Sequence, residues 1–176
     1  MRCFISIEIP KELQREIAKL QKKLPDFKGK FTEFDNLHLT LKFLGDGLTE
    51  EQIEKVRSRL KKIKMGSFEL VGNKLGVFTE DFIKIVWLHL QGEEMLALQK
   101  EIDENLIDLF SSEDRFMSHV TIARVKFVHD KKKFLETLKK INPKNIRFKV
   151  SNFKLMKSEL TRNGPIYKVI DNFSLS

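Results

Sequence analysis

Apolar and polar residues follow two periods along this chain, every second position and every third or fourth, and stretches of one period give way to stretches of the other. Residues 2–9 are β-branched and aromatic and read as a strand, with Pro10 where proline opens a helix. Leu13, Ile17, Leu20 and Leu24 then recur at helical spacing. Residues 25–30 break that helix, and residues 36–44 alternate as a strand until 45–47 turn the chain. Thr49 and Gln52 form a capping box for a second helix whose apolar stripe is Ile53, Val56, Leu60 and Ile63. Short extended runs at 67–71 and 74–78 come next.

The order then repeats. Residues 82–90 read as a strand, 93–110 as a helix buried through Leu98, Ile102, Leu106 and Leu109, and 117–125 as a strand. A helix over 131–141 carries Phe134, Leu138 and Ile141, and extended runs at 146–156 and 166–175 close the chain. The two alternating strands share a local pattern: His38-Leu39-Thr40-Leu41 and His119-Val120-Thr121-Ile122 stand 81 residues apart. The same interval carries Phe4 onto Ile85, so strands and motifs align together. This predicts one bilobal domain, 1–176, made by duplication of about 1–80 and 81–176. Two copies make two similar lobes, not a solenoid.

Composition narrows the class. With 41% hydrophobic residues, 15 Phe, 8 Gly and 4 Pro, the 176-residue chain can bury a core. Cys3 is the single cysteine, so neither an intrachain disulfide nor a cysteine-cluster zinc site is expected. The apolar runs are too short for a membrane span and the start lacks a cleavage site, so a cytoplasmic protein with no membrane partner is expected; a monomer is expected separately, as the default state. The net charge is +8. Residues 126–157 hold eleven Lys and Arg against only Asp130 and Glu136, a local +9 that predicts a basic track for a phosphate backbone.

The His-x-Thr pairs are the candidate chemistry. On a strand, residues i and i+2 share a face about 7 Å apart, so His38 lies beside Thr40 and His119 beside Thr121. Two lobes facing across a groove bring two imidazoles and two hydroxyls to one point. Phosphodiester cleavage needs a base for the attacking hydroxyl or water and an acid for the departing alkoxide, and histidine serves as either near neutral pH. Threonine donates to a phosphate oxygen as charge builds there. Zinc fits poorly, because His89 and His129 have Glu8 and Leu48 as repeat mates and no third ligand stands at a metal spacing. No cofactor is expected.

H-L-T-L-K-F-L-G from His38 and S-H-V-T-I-A-R from Ser118, with M-R-C-F-I-S-I-E-I-P at the start and S-E-L-T-R-N-G-P-I-Y near the end, resemble the RNA 2′,3′-cyclic phosphodiesterases. These form the 2′-5′ RNA ligase family of the 2H phosphoesterases. Ser118 departs from the proline usual before the second histidine. The resemblance implies an α+β bilobal fold, with antiparallel sheets lining a central groove and helices outside. It also implies metal-independent opening of a 2′,3′-cyclic phosphate on RNA ends or small cyclic nucleotides to a 2′-phosphate. By resemblance His38 is the proton donor and His119 the acceptor, roles the sequence leaves exchangeable, while Thr40 and Thr121 hold phosphate oxygens.

Arg124 stands where the family often places a phosphate-contacting arginine, a role that needs a bulge near Ala123 because simple alternation turns an i+5 residue away. Its repeat mate, Phe43, is a candidate for stacking on a base. Alternation puts Lys42 on the face of His38, as a further charge at the groove. Two other readings stand beside hydrolysis: the same histidines run in reverse as a ligase joining cyclic phosphate to a 5′-hydroxyl, or a non-catalytic RNA-binding module.

Overall fold

The computed structural model describes residues 1–176 and forms nine strands and four α-helices. In chain order these are β1 (Arg2–Glu8), α1 (Gln14–Lys23), β2 (Lys28–Phe31), β3 (His38–Gly45), α2 (Glu50–Leu60), β4 (Phe68–Val77) and β5 (Ile85–Gln91). They continue as α3 (Glu93–Asn105), β6 (His119–Phe127), α4 (Lys131–Lys140), β7 (Arg147–Val150), β8 (Asn152–Thr161) and β9 (Gly164–Ser174). The expected α+β architecture is present, built on a curled antiparallel sheet. The Thr49 capping box opens α2 as expected, and Asp130 caps α4 by accepting from the Lys133 amide at 3.1 Å. Each helix buries its stripe, Ile17 and Leu20 on α1, Ile53 and Val56 on α2, Leu98 and Ile102 on α3, Phe134 and Leu138 on α4.

Strands run in the order β7-β4-β5-β6-β3-β1-β8-β9, with β2 also paired to β6. The two sheets expected of two lobes are thus halves of one hydrogen-bonded path. They meet at a single registered pair, Leu39 opposite Val120, both wholly buried. Beyond it β3 leaves β6, and β2 takes the vacated edge, running from Phe31 opposite Ala123 to Lys28 opposite Phe127. That parting of β3 from β6 opens the groove.

The repeats are interleaved. β4, from the first copy, pairs with β5, and β8, from the second, pairs with β1. The helices cross as well, α1 against β6 and α3 against β3. One cluster of forty buried residues joins both copies.

Some expected boundaries move. The extended run at 146–156 is two strands, β7 on β4 and β8 on β1, and the chain passes between half-sheets at Ser151. The apolar phase slips there, from Phe148 and Val150 to Phe153 and Leu155, which is the trace the break leaves in sequence. The runs at 67–71 and 74–78 form one strand, β4, with an irregularity between Gly72 and Lys74. β5 starts at Ile85 and leaves Phe82 exposed, and α3 ends at Asn105. β2 has no counterpart among the expected elements, because K-G-K-F shows no alternation and is exposed throughout. Gly29 makes it feasible: its φ is +155°, and a Cβ there would stand 2.2 Å from the Arg124 carbonyl oxygen.

Candidate active site

Alternation along β3 and β6 sends Leu39, Leu41, Val120 and Ile122 into the core and leaves His38, Thr40, His119 and Thr121 half-buried on the other face. Antiparallel pairing of Leu39 with Val120 sets His38 across from Thr121 and Thr40 across from His119. Directly opposed residues in such a pair have Cβ atoms about 4.5–5.5 Å apart, and the two histidines are diagonal neighbours across it. All four line a cleft of about 460 Å³. Two imidazoles and two hydroxyls thus open onto one cleft.

Both histidines are oriented in the same way. His38 Nδ1 donates to the Asn36 carbonyl at 2.7 Å, and His119 Nδ1 donates to the Met117 carbonyl at 2.9 Å. A carbonyl oxygen only accepts, so in each neutral ring Nδ1 carries the proton and Nε2 is the free nitrogen. Aromatic rings fix the imidazoles laterally. Phe4 lies 4.9 Å and Tyr167 5.0 Å from His38, and Phe78 lies edge-on to His119 at 5.0 Å. Burial holds the His38 pKa below its ordinary value, and the charges of His119 and Arg124 push it the same way against the hydrogen bond to Asn36. In the free protein His38 is therefore neutral near pH 7.

A bulge interrupts each of the two strands at the same repeat position. Against β1, Ile5 pairs with Lys42 and Ser6 with Thr40, so Leu41 is the extra residue. Against β5, Val86 pairs with Ala123 and Trp87 with Thr121, so Ile122 is the extra residue. An added residue reverses the facing of every later position on its strand. Arg124 and Phe43 consequently line the groove, at the positions expected of them.

The same reversal corrects the expectation for Lys42. It does not reach the groove: only 1% of its side chain is exposed, and its ammonium meets Asp103 of α3 at 2.5 Å and the Ser111 carbonyl at 2.6 Å. Desolvation raises the Asp103 pKa, but bonds from Lys42, the Glu113 amide and Gln99 outweigh it and hold the carboxyl below the usual range. Lys42 is a core cation.

The remaining lining comes from places the periodicity did not single out. The β8–β9 hairpin supplies Leu160, Pro165 and Tyr167, and Asn36 ties it down by donating to the Pro165 carbonyl at 3.3 Å. Tyr167, the only tyrosine, has its pKa raised by burial. His89 stands opposite His119 on β5 and accepts from the Asn73 amide through Nδ1, outside the cleft lining. Groove cations are Arg2, Lys30 and Arg124. No basic residue of the segment 126–157 lines the cleft; Arg147, Lys154 and Lys157 instead pair with Glu69, Glu8 and Glu159. The basic segment 126–157 therefore adds no cation to the cleft lining itself.

The sequence pattern of the LigT-like phosphoesterases matches residues 7–87 and 90–167. A Methanocaldococcus jannaschii protein named RNA 2′,3′-cyclic phosphodiesterase is 36% identical over 173 residues, covering 97% of this chain and 98% of that one. A Thermotoga maritima protein of the same name is 32% identical, covering 97% and 93%. The crystal structure of a Thermus thermophilus protein superposes with a TM-score of 0.84 at 25% identity, covering 99% of this chain and 98% of that one. Matched on both repeats and nearly end to end, the chain belongs to the LigT-like phosphoesterase family.

Proposed function

We propose that the groove hydrolyses 2′,3′-cyclic phosphates, on RNA ends or small nucleotides, to 2′-phosphates. The observation that carries this reading is the pair of imidazoles on adjoining strands, each with Nδ1 committed to a backbone carbonyl and Nε2 free. The names of the full-length relatives support the substrate class.

A water molecule attacks phosphorus while His119 takes its proton. The bond from phosphorus to the 3′ oxygen breaks, and His38 gives that oxygen a proton, leaving a 2′-phosphate and a free 3′-hydroxyl. Thr40 and Thr121 donate to the non-bridging oxygens, and Arg124 meets their growing charge. His38 is neutral in the free protein, so it takes up a proton from solvent when the anionic substrate binds, the substrate's charge opposing the effects of Arg124 and His119.

The test is incubation of purified protein with a 2′,3′-cyclic nucleotide in chelator, separating the 2′- from the 3′-phosphate. The 2′-phosphate is expected, and loss of activity in chelator defeats the metal-free mechanism. His38→Ala and His119→Ala should each lower turnover by about 10²–10⁴-fold while nucleotide affinity changes a few-fold. A variant at full rate removes that histidine from the mechanism.

A further inference from the structure

We infer that Gln21 is a positioning residue for Arg124: from α1 it holds the carbonyl of the β6 bulge and thereby selects the register that turns the guanidinium into the groove. The inference rests on the reading of Arg124 as a phosphate ligand. Gln21 lies on the buried face of α1 beside Ile17 and Leu20 and is 9% exposed. A buried amide must find partners, and a leucine or methionine would fill this position without that demand. The Gln21 amide donates to two carbonyls, Thr32 at 3.0 Å and Ile122 at 3.0 Å.

Those two acceptors are informative. Ile122 is the extra residue of the β6 bulge, and Thr32 comes directly after β2, the strand that flanks the bulge. The Ile122 carbonyl also accepts from the Thr32 amide at 3.0 Å, so both of its lone pairs are used. Gln21 joins helix, flanking strand and bulge at one point. Without the bulge, alternation would present Ala123 to the groove and turn Arg124 toward the core.

The other half carries a counterpart. Gln99, 6% exposed on α3, donates to the carbonyl of Leu41, the extra residue of the β3 bulge, at 3.4 Å and to Asp103 at 3.0 Å. Each helix reaches the bulged strand of the other repeat. The glutamines are 78 residues apart and the bulges 81, so the correspondence emerges only once the repeats interleave.

A double-mutant cycle on turnover of a 2′,3′-cyclic mononucleotide tests this. Arg124→Ala should lower kcat/KM by about 10- to 100-fold. Gln21→Met should lower it about tenfold with Arg124 present and less than about twofold with Arg124 already removed. A general loss of packing would act equally in both backgrounds, and that outcome overturns the proposal, as does an unaltered rate in Gln21→Met. Gln99→Met serves as the comparison, and coupling to Arg124 as strong as that of Gln21 also overturns it. If Arg124→Ala alone retains full activity, the phosphate role of Arg124 fails in that arm and the inference falls with it. Should Gln21→Met not fold, Gln21→Asn repeats the cycle, since it keeps the amide but withdraws it by one methylene.

Discussion

Replacing Lys42 by methionine separates a core cation from a groove cation. The ammonium and the Asp103 carboxylate are 1% and 10% exposed and 2.5 Å apart, so removing the cation strands a nearly buried carboxylate with two neutral donors, Gln99 and the Glu113 amide. Breaking one side of a buried pair costs about 3–5 kcal/mol. For a chain of this length each kcal/mol lowers Tm by about 2–4 °C, so Lys42→Met should melt at least about 6 °C below the parent. Replacing both partners, Lys42→Met with Asp103→Leu, should recover most of that loss, because no charge is then left unpaired. The sign with pH is fixed by the depressed Asp103 pKa. Its stabilisation is present above the ordinary carboxylate value of about 3.9 and is lost as pH falls through the folded value, so the gap between parent and variant narrows in acid. Thermal melts by circular dichroism from pH 7 to pH 3 measure all three quantities. A Lys42→Met variant within about 1 kcal/mol of the parent would refute the reasoning.

Other expectations rest on the same geometry. Arg124→Gln removes one of the charges that lower the His38 pKa, so that pKa should rise; with His38 as proton donor, the basic limb of the kcat/KM profile moves to higher pH. Movement of the acidic limb would exchange the roles of the two histidines, and a stationary profile would refute the coupling. Gly29→Ala places a Cβ against the Arg124 carbonyl and forces β2 off β6, for a loss of about 1–3 kcal/mol in urea denaturation. An alanine variant of parental stability would show that β2 yields without cost.

The two His-x-Thr pairs were legible because facing on a strand is a local property: i and i+2 share a side whatever the chain does elsewhere. The repeat was legible for a related reason, since two copies keep the same order of periods. Lys42 defeats a local reading because simple alternation does not hold across a bulge. The bulges leave a trace in the core positions, Leu39, Leu41 then Leu44, and Val120, Ile122 then Val125, a step of three in each strand. On β3 the apolar Phe43 fits simple alternation and hides it. For Arg124 the need for a bulge could be stated from spacing, but the Gln21 amide that bonds to it from 101 residues away could not.

The sequence by itself determined the periods, their repeated order and the chemical groups of the groove, because side-chain facing and helix capping depend on neighbours a few residues away. Tertiary structure alone decided which strands share a half-sheet, that β8 and β4 lie beside the other repeat, and that the hairpin bearing Tyr167 closes over His38. It also decided that Arg2, Lys30 and Arg124, and not the basic segment 126–157, face the cleft. Hydrogen bonds and ion pairs between distant segments select these arrangements, and local pattern carries little information about such pairings.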